Sequence, residues 1–252
     1  MSLLLPLVLA CASPGTPVSV PFDVVAAGHP LRCGVPVAVD SHQIELRDLR
    51  LFVHDVQLVG ADGVAHRLVL DEGPWQHDGT ALLDFEDGCH NGSTATNTQL
   101  VGSTAAAAPY RAVRFTVGVP TATNHADPLT LEPPLTTMAM HWGWQAGFKF
   151  VRFDYRYDGH PVRMHLGSTG CEGPMGAVTG CARANRATVE VPFVGDDASV
   201  QLDLGPALAT TGAGEGCMAD PDDPGCTPWF AHFGVDGRTG QAMASARAFG
   251  AR

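Results

Sequence analysis

The chain has 252 residues and carries 15 Lys+Arg against 26 Asp+Glu, a formal net charge of -11 with His neutral. That acidic balance argues against a phosphate-binding surface, and so against nucleic acid as a partner. No apolar run approaches the roughly 20 residues that a membrane-spanning helix needs. With 45% hydrophobic and 16% charged residues, the composition is that of a folded globule. The length suits a leader and linker over residues 1–17 and one β-rich domain over residues 18–252.

The first element is the leader. Residues 3–10 are apolar and are followed by Cys11. Val8-Leu9-Ala10-Cys11 resembles a bacterial lipobox, in which the Cys becomes the lipidated mature N-terminus. The alternative is a leader cut elsewhere, with Cys11 removed. The basic residues that normally precede such a stretch are missing, since the first Lys or Arg is Arg32. Export would place the protein in the periplasm, or on the outer membrane through a lipid on Cys11. Membrane contact is then confined to that anchor.

Downstream the pattern is that of short strands between Gly, Pro and Asp turns. Residues 18–23 alternate, and residues 44–59 begin mixed and become clearly alternating. In that second run Val53, Asp55, Gln57 and Val59 should face one side, and Phe52, His54, Val56 and Leu58 the other. Ala61-Asp62-Gly63 turns the chain into residues 65–70. Residues 82–89 carry Asp84, Glu86 and Asp87 and read as a solvated acidic turn, because the spaced ladder of a calcium loop is absent. Asn91-Gly92-Ser93 matches a glycosylation pattern, discounted beside a bacterial-type leader. Residues 110–117, 148–157, 161–166 and 187–193 read as further strands. Short helical turns are expected at 206–210 and around Trp229. Residues 211–228 read as a long loop pinned by a disulfide. The fold expected is all-β, an antiparallel sandwich or barrel-like single domain.

Seven cysteines are present. Beyond Cys11 there remain Cys33, Cys89, Cys171, Cys181, Cys217 and Cys226, an even set that suits disulfides in an exported protein. Six cysteines allow 15 pairings. Loop proximity favours Cys171 with Cys181 and Cys217 with Cys226, which leaves Cys33 with Cys89. None of these pairs has C-x-x-C spacing, so a zinc knuckle, a thioredoxin-type site and a c-type haem are not expected.

Two features bear on chemistry. One is histidine, with 11 residues. Imidazole is a common ligand for copper and zinc, and His54, His125, His141 and His165 sit in or beside patterned segments. The other is Met138-Ala139-Met140-His141-Trp142-Gly143-Trp144, which places two oxidisable indoles beside thioether and imidazole groups. In an extended chain Trp142 and Trp144 would share a face about 7 Å apart; a pair of core aromatics is the plainer account. Gly-x-Ser-x-Gly, His-Glu-x-x-His, P-loop and dinucleotide motifs are absent, although 166–170 has a superficial likeness to a nucleophile turn at Ser168.

Several ordered strings then point to one family. They are Phe52-Val53-His54-Asp55-Val56-Gln57-Leu58, Trp75-Gln76, the run 81–87, Thr96-Asn97, Gly118-Val119-Pro120 with Asn124-His125-Ala126-Asp127-Pro128, and Trp142-Gly143-Trp144 with 147–150. His165-Leu166-Gly167-Ser168-Thr169-Gly170-Cys171, Gly216-Cys217-Met218 and 221–226 complete the set. Together they resemble the MbnP-like proteins, also called the metallo-mystery pair four-Cys motif family, over most of the chain after the leader. The resemblance implies an exported Cu(I)-binding protein, without turnover of its own, serving copper acquisition or homeostasis. It also implies a dihaem partner of the MauG/cytochrome-c-peroxidase type. That partner would oxidise the first Trp of Trp-x-Trp, here Trp142, to kynurenine. Copper would then bind at the modified Trp142 with His54, His125 and His165, flanked by Trp144, His141 and Met140. Two rival readings are an exported hydrolase using Ser168 and a histidine, and a carbohydrate- or protein-binding sandwich with the Trp pair as its platform.

Overall fold

The computed structural model describes residues 15–252 apart from 90, 91, 106, 107, 144, 146, 175, 176, 196 and 212–214. The leader with Cys11, Asn91 of the glycosylation pattern and Trp144 therefore lie outside the described residues.

Two sheets carry the chain. The first has the order Phe249–Ala251, Val200–Asp203, Thr16–Ala26, Gln99–Thr104 and Val69–Leu70. Its pairs are antiparallel except that Phe22–Val25 runs parallel to Val200–Asp203. The second sheet is built on one long strand, His42–Gly60. Residues Arg50 and Leu51 pair both with Arg152 and Val151 and with Asp84 and Leu83. Likewise Val53 and His54 pair with Ala81 and Thr80 and with Val117 and Thr116. A strand has only two edges. Val151–Tyr157 and Tyr110–Val117 must therefore share one edge, end to end, with Thr80–Asp84 on the other.

The two half-edges meet at Phe52. Its N–H donates to the Phe150 carbonyl at 2.9 Å, and its own carbonyl accepts from Gly118 N at 2.8 Å. Gly118 has φ +122, and a Cβ there would stand 2.9 Å from the Phe150 ring, so the junction needs glycine on two counts. His160–Leu166 extends one half-sheet and Ala187–Pro192 the other.

The sheets enclose one large core. Phe115 bridges them, its ring 5.6 Å from Phe22 and 5.2 Å from Phe249 in edge-on contacts. The helix Thr227–His232 plugs one end with the fully buried Trp229, 5.7 Å from Phe153. A second, smaller cluster lies over the junction. It joins Phe52, Leu82, Phe148 and Phe150 to Val119, Leu135 and Met140 of the 119–150 segment. That segment roofs the outer face of the long strand.

Two expectations are corrected. Strict alternation grouped His54 with Val56 and Leu58, but the strand bulges at Asp55, whose φ is +51. Asp55 and Val56 together oppose the single residue Phe115 between the pairs His54–Thr116 and Gln57–Arg114. The extra residue reverses the parity. Val53, Val56 and Leu58 enter the main core, while Phe52 faces the roofed side and His54 follows it there. Of the acidic run only Asp87 is exposed. Thr80–Asp84 is a fully buried strand, and Asp84 and Glu86 are 3% and 1% exposed. Burial of these carboxylates is compensated by Arg50, as described below.

The all-β architecture holds. The strand expected at 110–117 is observed with those bounds, those at 18–23, 44–59, 161–166 and 187–193 with shifted ends, the helical turns fall at Gly205–Leu208 and Thr227–His232, and 148–157 is broken at residues 149–150. All three favoured disulfides are formed: Cys33–Cys89, Cys171–Cys181 and Cys217–Cys226.

Candidate metal centre at the sheet junction

Trp142 enters the site on the short strand His141–Gly143, which pairs with Gly147–Phe148. Neighbouring side chains on an extended chain point apart. The His141 ring lies 5.1 Å from Phe148, while the half-buried Trp142 indole lies 6.2 Å from the ring of His165. Gly167 lies beneath the indole. A Cβ at that position would come within 2.7 Å of both Trp142 Cζ3 and the Phe148 carbonyl. The Gly167 carbonyl accepts from Asn185 Nδ2 at 2.7 Å. The indole rests against backbone that no side chain can occupy.

His165 is the penultimate residue of the His160–Leu166 strand and is 5% exposed. Its Nε2–H donates to Asp154 Oδ1 at 2.7 Å, a diagonal contact across the hairpin, since the residue directly opposite His165 is Arg152. Asp154 is itself gripped by Arg152 through Nε and Nη2, at 3.0 and 2.7 Å. Burial alone would push the Asp154 carboxyl up, but the bonds from His165 and Arg152 hold it below the usual carboxylate range. A charged acceptor at Nε2 fixes the tautomer with a lone pair on Nδ1. That Nδ1 is buried and has no hydrogen-bond partner among the described residues. A carboxylate behind one imidazole nitrogen, with the other free, is the arrangement that orients metal-ligating histidines.

His54 is arranged similarly. Its Nδ1 donates to the Gly118 carbonyl at 2.8 Å, and burial lowers its pKa, which favours the neutral imidazole a metal requires. Its place differs, however. Arg50 is the residue of the long strand level with Arg152 and His165. His54 is four residues further on, about 13 Å along the strand. Among the described residues no ring contact or hydrogen bond joins His54 to Trp142.

His125 follows the helical turn Thr121–Asn124. Asn124 Oδ1 accepts from Phe148 N at 3.1 Å, which orients the amide so that Nδ2 donates to His125 Nε2 at 2.9 Å. The same Nε2 lies 3.2 Å from Cys181 Sγ. His125 thus abuts the Cys171–Cys181 disulfide, and Cys171 lines the pocket beside Trp142. That pocket, about 460 Å³, is bounded by Trp142, Gln145, Ser168, Thr169, Gly170, Cys171 and Met218. The oxidised cysteines offer no thiolate, so the groups His125–Cys171–Cys181 and Cys33–Glu86–Cys89 are not thiolate metal sites in this state.

A buried ionic network underlies His165. Arg50 bonds Asp84, Asp48 and Glu86 at 2.8, 2.7 and 2.9 Å, and Arg152 reaches Asp48 at 3.2 Å and Asp154 at 2.7 Å. Burial, outweighing the attraction of Arg50 and Arg152, pushes Asp48 up to about 6.

Of the expected site residues, the structure brings Trp142 and His165 together and sets His125 behind the adjoining disulfide. It places His54 further along the same face. His141 points away from His165, and Met140 is buried in the roof. Sequence reading missed Asp154, whose only signal was its place on a strand antiparallel to the one bearing His165, and did not single out the role of Gly167. Ser168 is 1% exposed and its hydroxyl donates to the Ala184 carbonyl at 2.9 Å. Among the described residues no helix is long and apolar enough to cross a membrane.

Comparison with known proteins follows the same line. No curated protein matches the chain. Among solved structures, MbnP from Methylosinus trichosporium is similar at 30% identity and a TM-score of 0.82, over 94% of this chain and 98% of that one. The MbnP family profile matches residues 15–219, and on that extent of agreement the chain belongs to the MbnP family.

Proposed function

We propose that this protein is an exported copper-binding protein, not an enzyme, and that its metal site is completed by oxidation of Trp142. The observation that carries the reading is the pairing of Trp142 with His165. An oxidisable indole at a pocket wall lies 6.2 Å from an imidazole whose Nε2 is anchored by Asp154 and whose buried Nδ1 has no partner among the described residues. Opening the indole breaks its C2–C3 bond as an oxygen atom drawn from peroxide or O2 at the haem partner is added to each carbon, and hydrolysis then releases C2 as formate; kynurenine thus replaces a ring without a metal-binding lone pair by an aryl amine and a ketone. These donors would stand beside neutral imidazole, a combination suited to Cu(I). His165 is the foremost protein ligand on this reading, with His125, held against the disulfide that walls the Trp142 pocket, as the further imidazole; His54, about 13 Å along the strand from the level of His165, stands outside this group.

The oxidant is proposed to be a dihaem protein of the MauG/cytochrome-c-peroxidase type, acting at the surface pocket that Trp142 lines. Three disulfides accord with an oxidising compartment such as the periplasm. Lipidation at Cys11 would add an outer-membrane anchor, and copper acquisition or homeostasis is the role this implies.

The test is intact mass and copper content of the chain produced with and without that partner. The expected result is a gain of one oxygen and loss of one carbon at Trp142, with copper retained only by the modified form. Equal copper retention by Trp142→Phe would overturn the reading.

A further inference from the structure

We propose that Met218 supplies a thioether donor to the Trp142–His165 site and makes that site selective for Cu(I). The inference rests on the copper reading above and goes beyond it by naming a ligand and the selectivity it confers.

Met218 lies in the wall of the pocket that Trp142 lines. It is 50% exposed, and one exposed methionine on a surface is unremarked in itself. Its attachment is what distinguishes it. Cys217 N donates to the Arg163 carbonyl at 2.8 Å, and His165 N donates to the Cys217 carbonyl at 2.7 Å. These bonds form a parallel bridge between Cys217 and Met164. Cys217 is fully buried and is tied to Cys226. The residue before Met218 is therefore laced to the backbone on both sides of Met164, and His165 is one of the two lacing points. A flexible side chain is thus delivered from a fixed backbone to the wall of the pocket that Trp142 lines, and the Trp142 ring lies 6.2 Å from that of His165, whose buried Nδ1 has no hydrogen-bond partner among the described residues.

The chemistry assigns the role. Imidazole, aryl amine and ketone donors accept Cu(I), Cu(II) and Zn(II) alike, so they discriminate poorly. A thioether is soft and neutral, favours Cu(I), and needs no deprotonation to bind. Met218 also lines a second surface depression with Pro161, Val162, Arg163 and Gly216.

The experiment uses the full chain with Trp142 modified, as wild type and as Met218→Leu, which conserves volume. X-ray absorption at the copper edge reads the donor atoms. Competition against a chromophoric Cu(I) chelator and against Zn(II) reads affinity and selectivity. The wild type should show a sulfur scatterer that the variant lacks. The variant should bind Cu(I) more weakly by about tenfold or more, the least effect expected from losing a group that supports a metal site, with Zn(II) affinity unchanged. Nitrogen and oxygen donors alone in both proteins, with equal Cu(I) affinity, would overturn the assignment of Met218 while leaving the copper reading intact. Failure of the modified wild type to hold any Cu(I) would overturn both. If the variant fails to fold, Ag(I) titration of wild type labelled at the methionine methyls decides. The Met218 methyl resonance should move on binding, and a stationary resonance would overturn the proposal.

Discussion

The Asp154 carboxylate holds His165 Nε2 at 2.7 Å, and this contact determines which imidazole nitrogen is left for a metal. Arg152 secures the carboxylate from the other side, so the ring is oriented by a chain of three side chains. Asp154→Ala frees the tautomer and leaves Arg152 without one of its two carboxylates. Copper affinity of the modified protein should fall about 10- to 100-fold, as when comparable outer partners of metal ligands are removed. Competitive Cu(I) titration measures it. An unchanged affinity would remove His165 from the ligand set.

Gly167 is the seat on which Trp142 rests. In Gly167→Ala the new Cβ meets the Phe148 carbonyl and the indole, each at 2.7 Å. The indole can swing but the carbonyl belongs to backbone, so the strain cannot be relieved by a rotamer change alone. The variant should lose about 1–3 kcal/mol of stability, the usual penalty of overpacking. Its Trp142 should also be oxidised more slowly by the partner. Urea unfolding and the time course of the mass change test the two effects separately.

Arg50 is the cation on which three buried carboxylates depend. Removing one side of a buried ion pair costs about 3–5 kcal/mol, because the partner charge is left uncompensated, and Arg50→Met should fall in that range near pH 7. The pH dependence has a definite sign. The pKa of Asp48 is raised from 3.8 to about 6, and those of Asp84 and Glu86 are also raised, in each case chiefly by burial. Protonation therefore favours the folded state. For Asp48 this contribution is complete below pH 3.8 and is lost as the pH rises through about 6. The deficit of Arg50→Met should shrink on acidification, as the orphaned carboxylates become neutral. Asp48→Asn should gain on wild type as pH rises from about 4 to 7. Denaturant melts across that interval measure both trends.

Much of this was legible in the sequence. Strand positions follow from alternation and turn residues, which are local. The pairing of neighbouring cysteines is nearly local and was legible too. The bulge at Asp55 was not, because Asp tolerates positive φ without announcing it, and a single extra residue sent Val56 and Leu58 to the opposite face from Phe52 and His54, with which alternation had grouped them. The acidic run misled for the opposite reason. Asp84 and Glu86 are solvated by default, and only Arg50, 34 and 36 residues away, makes their burial tolerable. The Trp142–His165 encounter was expected only through the family resemblance, since it depends on how the roof folds back over two half-sheets.

The disulfides separate stability from the metal site. Loop-closure entropy grows with the enclosed length, so Cys33–Cys89, spanning 56 residues, should contribute more than Cys171–Cys181, spanning 10. The expected values are about 4 and 3 kcal/mol. Their positions reverse that order for function. Cys171 lines the Trp142 pocket and Cys181 lies against His125 Nε2, whereas Cys33 and Cys89 belong to a different loop. Replacing Cys33 and Cys89 by Ser should therefore lower the unfolding midpoint more while leaving Cu(I) affinity of the modified protein unchanged. Replacing Cys171 and Cys181 should lower the midpoint less and weaken Cu(I) binding, because the pocket wall and the support of His125 are lost together. Paired measurements of melting and copper affinity on the two double variants make the comparison. Equal copper affinity in both would show that His125 and its disulfide lie outside the metal site.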